Sequence, residues 1–113
     1  MIHISTDKKR LDIDLIHDYL SKKSYWAKGR DIEIVKRSID HSLCFGAYND
    51  DKLIGFARVV TDYAVFAWIM DVFILKDYRG KGYGKKLMHA IMTHDKLQDL
   101  QRWGLATDDA HGL

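Results

Sequence analysis

The stretch Asp71-Val72-Phe73-Ile74-Leu75-Lys76-Asp77-Tyr78-Arg79-Gly80-Lys81-Gly82-Tyr83-Gly84 changes character twice within fourteen residues. It opens as the end of an apolar run from Val65 to Leu75, which predicts a central strand covered on both faces. It closes as a glycine-rich loop, after which a helix is predicted to about Lys96, with Leu87, Met88, Ile91 and Met92 facing inward. A strand, a glycine loop and a helix in that order predict an anion site. Glycine lets the backbone take positive φ and approach a ligand closely. The first turn of a helix leaves N–H donors free and carries partial positive charge. A pyrophosphate is the most natural occupant, and Arg79, Lys81 and Lys85 add charge around it. A glycine-rich helix start needed only for packing is the plainer alternative.

Two familiar phosphate loops fail on spacing. A Walker A loop requires Gly-Lys-Ser/Thr, whereas Gly84-Lys85 is followed by Lys86. The dinucleotide fingerprint G-x-G-x-x-G puts Lys85 or Leu87 where its third glycine belongs.

Outward from the loop, the period-two segments Leu43 to Tyr48 and Lys52 to Thr61 predict a hairpin turning at Asn49-Asp50-Asp51. Upstream, Leu15, Ile16, Tyr19 and Leu20 share one face of a helix over 12–22. Ile32, Val35 and Ile39 share a face of a second helix capped by Asp31. Ile2 and Ile4 suggest a first strand, and Arg102 to Ala106 a last one. The predicted order is β-α-α-β-β-β-α-β, an α/β (α+β) arrangement.

Composition bounds the rest. The 113 residues are 47% hydrophobic and 30% charged, which suits one soluble domain over 1–113. No apolar stretch is long enough to span a membrane. Eighteen basic against sixteen acidic residues leave a net charge of +2, with no basic face to suggest nucleic acid. A single cysteine, Cys44, forms no internal disulfide and fits a reducing compartment. The start lacks the features of a signal peptide, so a cytoplasmic location is expected. His3, His17, His41, His89 and His94 lack ligand spacing, and no metal site is expected.

Arg-x-x-Gly-x-Gly, as Arg79, Gly82 and Gly84, between a buried strand and a helix, resembles the loop of the GNAT superfamily of N-acetyltransferases. The element order resembles that family from its first strand to its fifth. The resemblance implies a mixed, mostly antiparallel sheet flanked by helices. It also implies acetyl-CoA as co-substrate, with its pyrophosphate on Arg79, Gly80, Lys81, Gly82, Tyr83, Gly84 and Lys85. The pantetheine arm would lie in a gap between the central strand and Arg102 to Ala106, bonded to the backbone of Phe73, Ile74 and Leu75. Trp103 is a wall of that gap or a core residue. The implied activity is acetyl transfer to a primary amine of a small molecule or peptide by direct attack in a ternary complex.

Such attack needs a neutral amine. Asp71 is the only charged residue between Val65 and Leu75. It is the candidate to bind or deprotonate the amine; its alternatives are an ion pair with Arg58 or bonds to nearby backbone N–H groups. Tyr25, Trp26 and Arg30 lie where the family borders its acceptor pocket, and would suit a small substrate with an anionic group. Ordinary loop packing with a solvated arginine is the alternative there. Thr107 to Leu113 resembles the opening of the family's next helix, and in many members a tyrosine that protonates the thiolate follows the position of Leu113. Its absence, with that of the last helix and strands, leaves three explanations: a fragment, a naturally short protein of weak activity, or an assembly in which a second copy covers the open edge. A homodimer or larger assembly is therefore expected, and a catalytically weak or inactive CoA-binding or dimerisation module is the second functional class.

Overall fold

The computed structural model describes residues 2–105. The last residue of the predicted final strand, Ala106, and the helix opening predicted from Thr107 lie outside them. The elements are β1 (Ile2–Ser5), α1 (Ile13–Asp18), α2 (Ile32–Asp40), β2 (Leu43–Asn49), β3 (Lys52–Thr61), β4 (Phe66–Ile74), α3 (Tyr83–Thr93) and β5 (Arg102–Leu105). This is the predicted order. The strands form one sheet in the order β1-β2-β3-β4-β5, antiparallel except for β4 and β5, which run parallel. The mixed, mostly antiparallel sheet with flanking helices is the fold class expected from the sequence.

Local chemistry explains the helices. Asp12 caps α1 through the N–H of Leu15, and Asp31 caps α2 through the N–H of Glu33, as its position predicts. Below α1 the helix continues as a π-helical turn over Tyr19–Lys23, closed by the Ser24 N–H donating to the Tyr19 carbonyl at 2.9 Å. The apolar faces of both helices pack on one side of the sheet. There Ile16, Leu20, Val35 and Ile39 join Tyr48, Phe56 and Phe73 in one core. Leu87 and Ile91 of α3 pack on the other side with Phe45, Val59, Val72 and Ile74. The chain is thus three layers, with the sheet between α1/α2 and α3.

Three expectations need correction. The α3 helix ends at Thr93, short of Lys96, because the backbone at His94 turns extended, the Leu97 N–H donates to the His94 carbonyl and Gln98 Nε2 donates to the carbonyls of Met92 and His94. Met92 is exposed rather than inward, since the sheet-facing stripe is centred on Leu87 and Ile91. The predicted cover on both faces of β4 holds over Val72–Ile74 but not at Phe66 or Trp68, which is 44% exposed.

A bulge interrupts β4. Phe56 pairs with Phe73 and Arg58 with Met70, so Ala57 faces both Asp71 and Val72. Asp71 takes φ +54°, a left-handed conformation uncommon for a residue with a side chain. The extra residue changes the phase of the strand. Ala67 and Ile69 before the bulge, and Val72 and Ile74 after it, all join the α3-side core.

Candidate active site

Beyond β4, a short 3-10 turn over Lys76–Tyr78 leads to Gly80 at φ +77° and Gly82 at φ +83°. A Cβ at either would meet nothing within 4 Å, so these glycines are required by backbone conformation and not by crowding. Gly82 is the N-cap of α3, and no side chain caps the helix there. The first helical bond runs from Lys86 N–H to the Gly82 carbonyl at 3.1 Å. The N–H groups before Lys86 therefore have no helical carbonyl to bond. They sit at the positive end of the helix dipole, beside the exposed Lys81 and Lys85. Gly84 is buried in the first turn and Tyr83 packs partly against Ile54.

Arg79 sits elsewhere than its sequence position suggests. Its Nε donates to the Ile74 carbonyl at 2.8 Å and its Nη2 to the Tyr19 hydroxyl at 2.5 Å. Tyr19 in turn stacks on Phe73 with ring centroids 4.0 Å apart. The guanidinium thus fastens the end of β4 to the π-helical turn. A cavity of about 390 Å³ lies here, lined by Tyr19, Lys23, Lys52, Lys76 and Arg79 among others.

The main chain at the end of β4 divides by direction. Leu75 N–H donates to the Ile54 carbonyl of β3 at 2.8 Å, while its own carbonyl accepts from Tyr78 N–H at 2.9 Å. Strand alternation turns the polar groups of Phe73 toward β3 and those of Ile74 and Val72 outward. Of the backbone expected to meet a pantetheine, the Ile74 N–H therefore faces the open side, its carbonyl already accepting from Arg79 Nε, and Val72 joins it. Val72 is missed in sequence because direction depends on register. On that side β5 pairs with β4 only from Phe66 to Ile69, among the described residues. Trp103 is half-buried against the α3-side core and also lines a cavity of about 540 Å³ with Phe66 and Trp68.

The bulge gathers the remaining candidates. Asp71 is 1% exposed. Its Oδ2 accepts from Arg58 Nε at 2.9 Å and from Arg30 Nη1 at 2.7 Å, and its Oδ1 from Trp26 Nε1 at 3.3 Å. Tyr25 packs edge-on against Trp26, with centroids 5.4 Å apart. The ion pair with Arg58, one of the sequence alternatives, is present. Arg30 and Trp26, expected to border an acceptor, converge on the same carboxylate. Sequence reasoning gave Arg58 no role beyond pairing. In the fold it also donates from Nη1 to the Ser42 hydroxyl at 3.2 Å and from Nη2 to Met70 Sδ at 3.6 Å.

Cys44 lies in the α1/α2-side core, and burial pushes its thiol pKa up to about 11. At neutral pH it stays protonated and is a poor nucleophile. Among the described residues, no three His, Cys, Asp or Glu side chains come together to hold a metal ion, and no helix is long and apolar enough to cross a membrane.

Residues 13–112 match the family model described as acetyltransferase (GNAT) family. The chain is 36% identical over 102 residues to the uncharacterized N-acetyltransferase ycf52-like of Prochlorococcus marinus, covering 85% of this chain and 56% of that protein. It is 33% identical over 113 residues to the uncharacterized N-acetyltransferase ycf52 of Gracilaria tenuistipitata var. liui, covering 83% of this chain and 62% of that one. The chain therefore spans little more than half the length of these relatives. A crystal structure from Xanthomonas campestris pv. campestris, described as belonging to the GNAT family, superposes with a TM-score of 0.94 at 54% identity, covering 99% of this chain and 79% of that one.

Proposed function

The chain belongs to the acetyltransferase (GNAT) family, and from that premise we propose that it transfers an acetyl group from acetyl-CoA to a primary amine of a small molecule or peptide, by direct attack in a ternary complex. The observation that carries the reading is the uncapped mouth of α3, where Gly80 and Gly82 hold positive φ with open space around them. That cradle suits a diphosphate. In this proposal the main chain from Gly80 to Lys85 and the ammonium groups of Lys81 and Lys85 hold it. Arg79 acts from behind, by fixing the end of β4. The outward backbone of Val72 and Ile74 receives the amide groups of the pantetheine arm.

Acetyl-CoA supplies an acetyl thioester, whose carbonyl carbon bonds to the amine nitrogen as the C–S bond breaks and the thiolate takes up a proton. The acceptor must first shed its own ammonium proton. Among the described residues the cluster at the bulge holds two arginines and one carboxylate. Its net positive charge disfavours an ammonium beside it and so favours the neutral amine. Asp71 is enclosed by three donors. In this proposal it shapes the acceptor side by holding Arg30 and Trp26, and is not the base. Residues 1–113 act as one domain. A cytoplasmic location fits the lone, buried thiol. The exposed apolar groups of Val65, Phe66, Trp68 and Leu105 support a homodimer or larger assembly.

Thermal denaturation with and without acetyl-CoA, beside an assay of thiol release across an amine library, tests the reading. The expected result is a raised melting temperature and amine-dependent thiol release, both lost in Gly82→Glu. That variant is expected to fold, since its side chain points into open space and the left-handed backbone costs only about 1–2 kcal/mol. A shift without thiol release from any amine would leave a CoA-binding module. The absence of any shift would overturn the proposal.

A further inference from the structure

We propose that the acceptor amine also carries a carboxylate, and that Arg30 receives it with the N–H groups that Asp71 leaves unused. The inference rests on the acetyl-transfer reading above and names the acceptor class.

The two arginines on Asp71 differ in what they have left to give. All three nitrogens of Arg58 have partners: Asp71, Ser42 and Met70. Its side chain is 10% exposed. Arg30 gives only Nη1 to Asp71, and its side chain is 19% exposed. Among the described residues its Nε and Nη2 donate to no protein group. A guanidinium is a planar fork with five N–H donors, matched to a carboxylate. Arg30 therefore presents one vacant edge of that fork.

Charge gives the same answer. Among the described residues, Arg30, Arg58 and Asp71 sum to one excess positive charge in a partly buried place, which costs free energy until an anion arrives. One excess charge and one vacant edge fit a monoanionic carboxylate; a phosphate dianion would leave the cluster negative. The arginine is also held ready. Its N–H donates to the Ala27 carbonyl at 3.0 Å, and Gly29 N–H donates to Ser21 at 2.9 Å. The Trp26 ring, pinned to Asp71 through its N–H, stands beside it. A preformed donor loses little freedom on binding. Asp71 is thus a positioning residue. It stands at the bulge, next to Val72, so a carboxylate on Arg30 and an amine aimed at a thioester along β4 need only a short spacer between them.

The test compares acceptors that differ only in this group: a series of ω-amino carboxylates against their primary amides. Thiol release is measured with the parent chain, Arg30→Gln and Arg30→Lys. In the parent, kcat/KM is expected to favour the carboxylates. In Arg30→Gln the carboxylate-to-amide ratio is expected to collapse by about 10–100-fold, through KM, as befits loss of a charge-assisted hydrogen bond. Arg30→Lys is expected to keep part of it. A parent without preference, or equal losses on both series, would overturn the inference while leaving acetyl transfer intact. A second readout needs no turnover: the indole N–H resonance of Trp26, assigned with Trp26→Phe and followed as the amino carboxylate is added without acyl donor. A saturable shift, lost in Arg30→Gln, would support the carboxylate site even if thiol release failed. No shift together with no preference would sink it.

Discussion

Replacing Asp71 by Asn removes the one negative charge between Arg30 and Arg58 and leaves the shape almost unchanged. Breaking a buried ion pair on one side typically costs about 3–5 kcal/mol. Asp71→Asn is expected to lose stability on that scale, read as a lowered urea midpoint, and Arg30→Gln far less, because Arg30 is the more exposed arginine. A midpoint for Asp71→Asn within about 1 kcal/mol of the parent would show that the pair does not hold the bulge. Cys44 gives a second test. Burial holds its thiol pKa at about 11, above the ordinary value of 9.0. The folded state therefore resists ionisation that the unfolded chain accepts. Stability from this source is fully present below pH 9 and falls as pH rises through 9 to 11. Urea midpoints are expected to drop more steeply for the parent than for Cys44→Ala between those values. Parallel curves would contradict this. At this scale the sequence is legible where chemistry is local: a lone carboxylate in an apolar strand stands out by itself. That Arg30 and Trp26 meet it is not legible. They lie 41 and 45 residues away across loops, and no periodicity links such positions.

Elements show the same division. Asp31 announces its helix because capping acts over two or three residues. The length of α3 does not show in its sequence, because the stop depends on Gln98 reaching back to the carbonyls of Met92 and His94. The pairing of β4 with β5 depends on a neighbour that has no side chain. A Cβ on Gly104 would lie 2.0 Å from the Trp68 ring. Gly104→Ala is expected to lift that ring, loosen the two strands and cost about 1–3 kcal/mol, read by thermal melting. Adding Trp68→Ala should recover most of the loss. If the double variant is as unstable as the sum of the two, ring overlap is not the cause.

For the whole molecule, three layers place the glycine loop at the far end of β4 and the arginine cluster at its middle. Phe66 and Trp68, on the sheet face away from α3, leave exposed apolar groups beyond both. Light scattering is expected to report more than one copy at high concentration, and Trp68→Lys to shift it toward a single copy; a parent that stays monomeric would refute the association. The layer order was legible because apolar periodicity reports which face of each helix is buried. The bulge was not, since two residues facing one is a matter of register. Yet it governs the geometry downstream of it. If β4 pleated regularly with Asp71 kept in the alternation, every position after it would swap sides: Phe73 toward α3, Ile74 toward α1. The glycine loop would then hang from a strand rotated by half a turn. Its orientation is set by the one residue that the bulge takes out of the alternation, an offset that no improvement within the loop itself can restore.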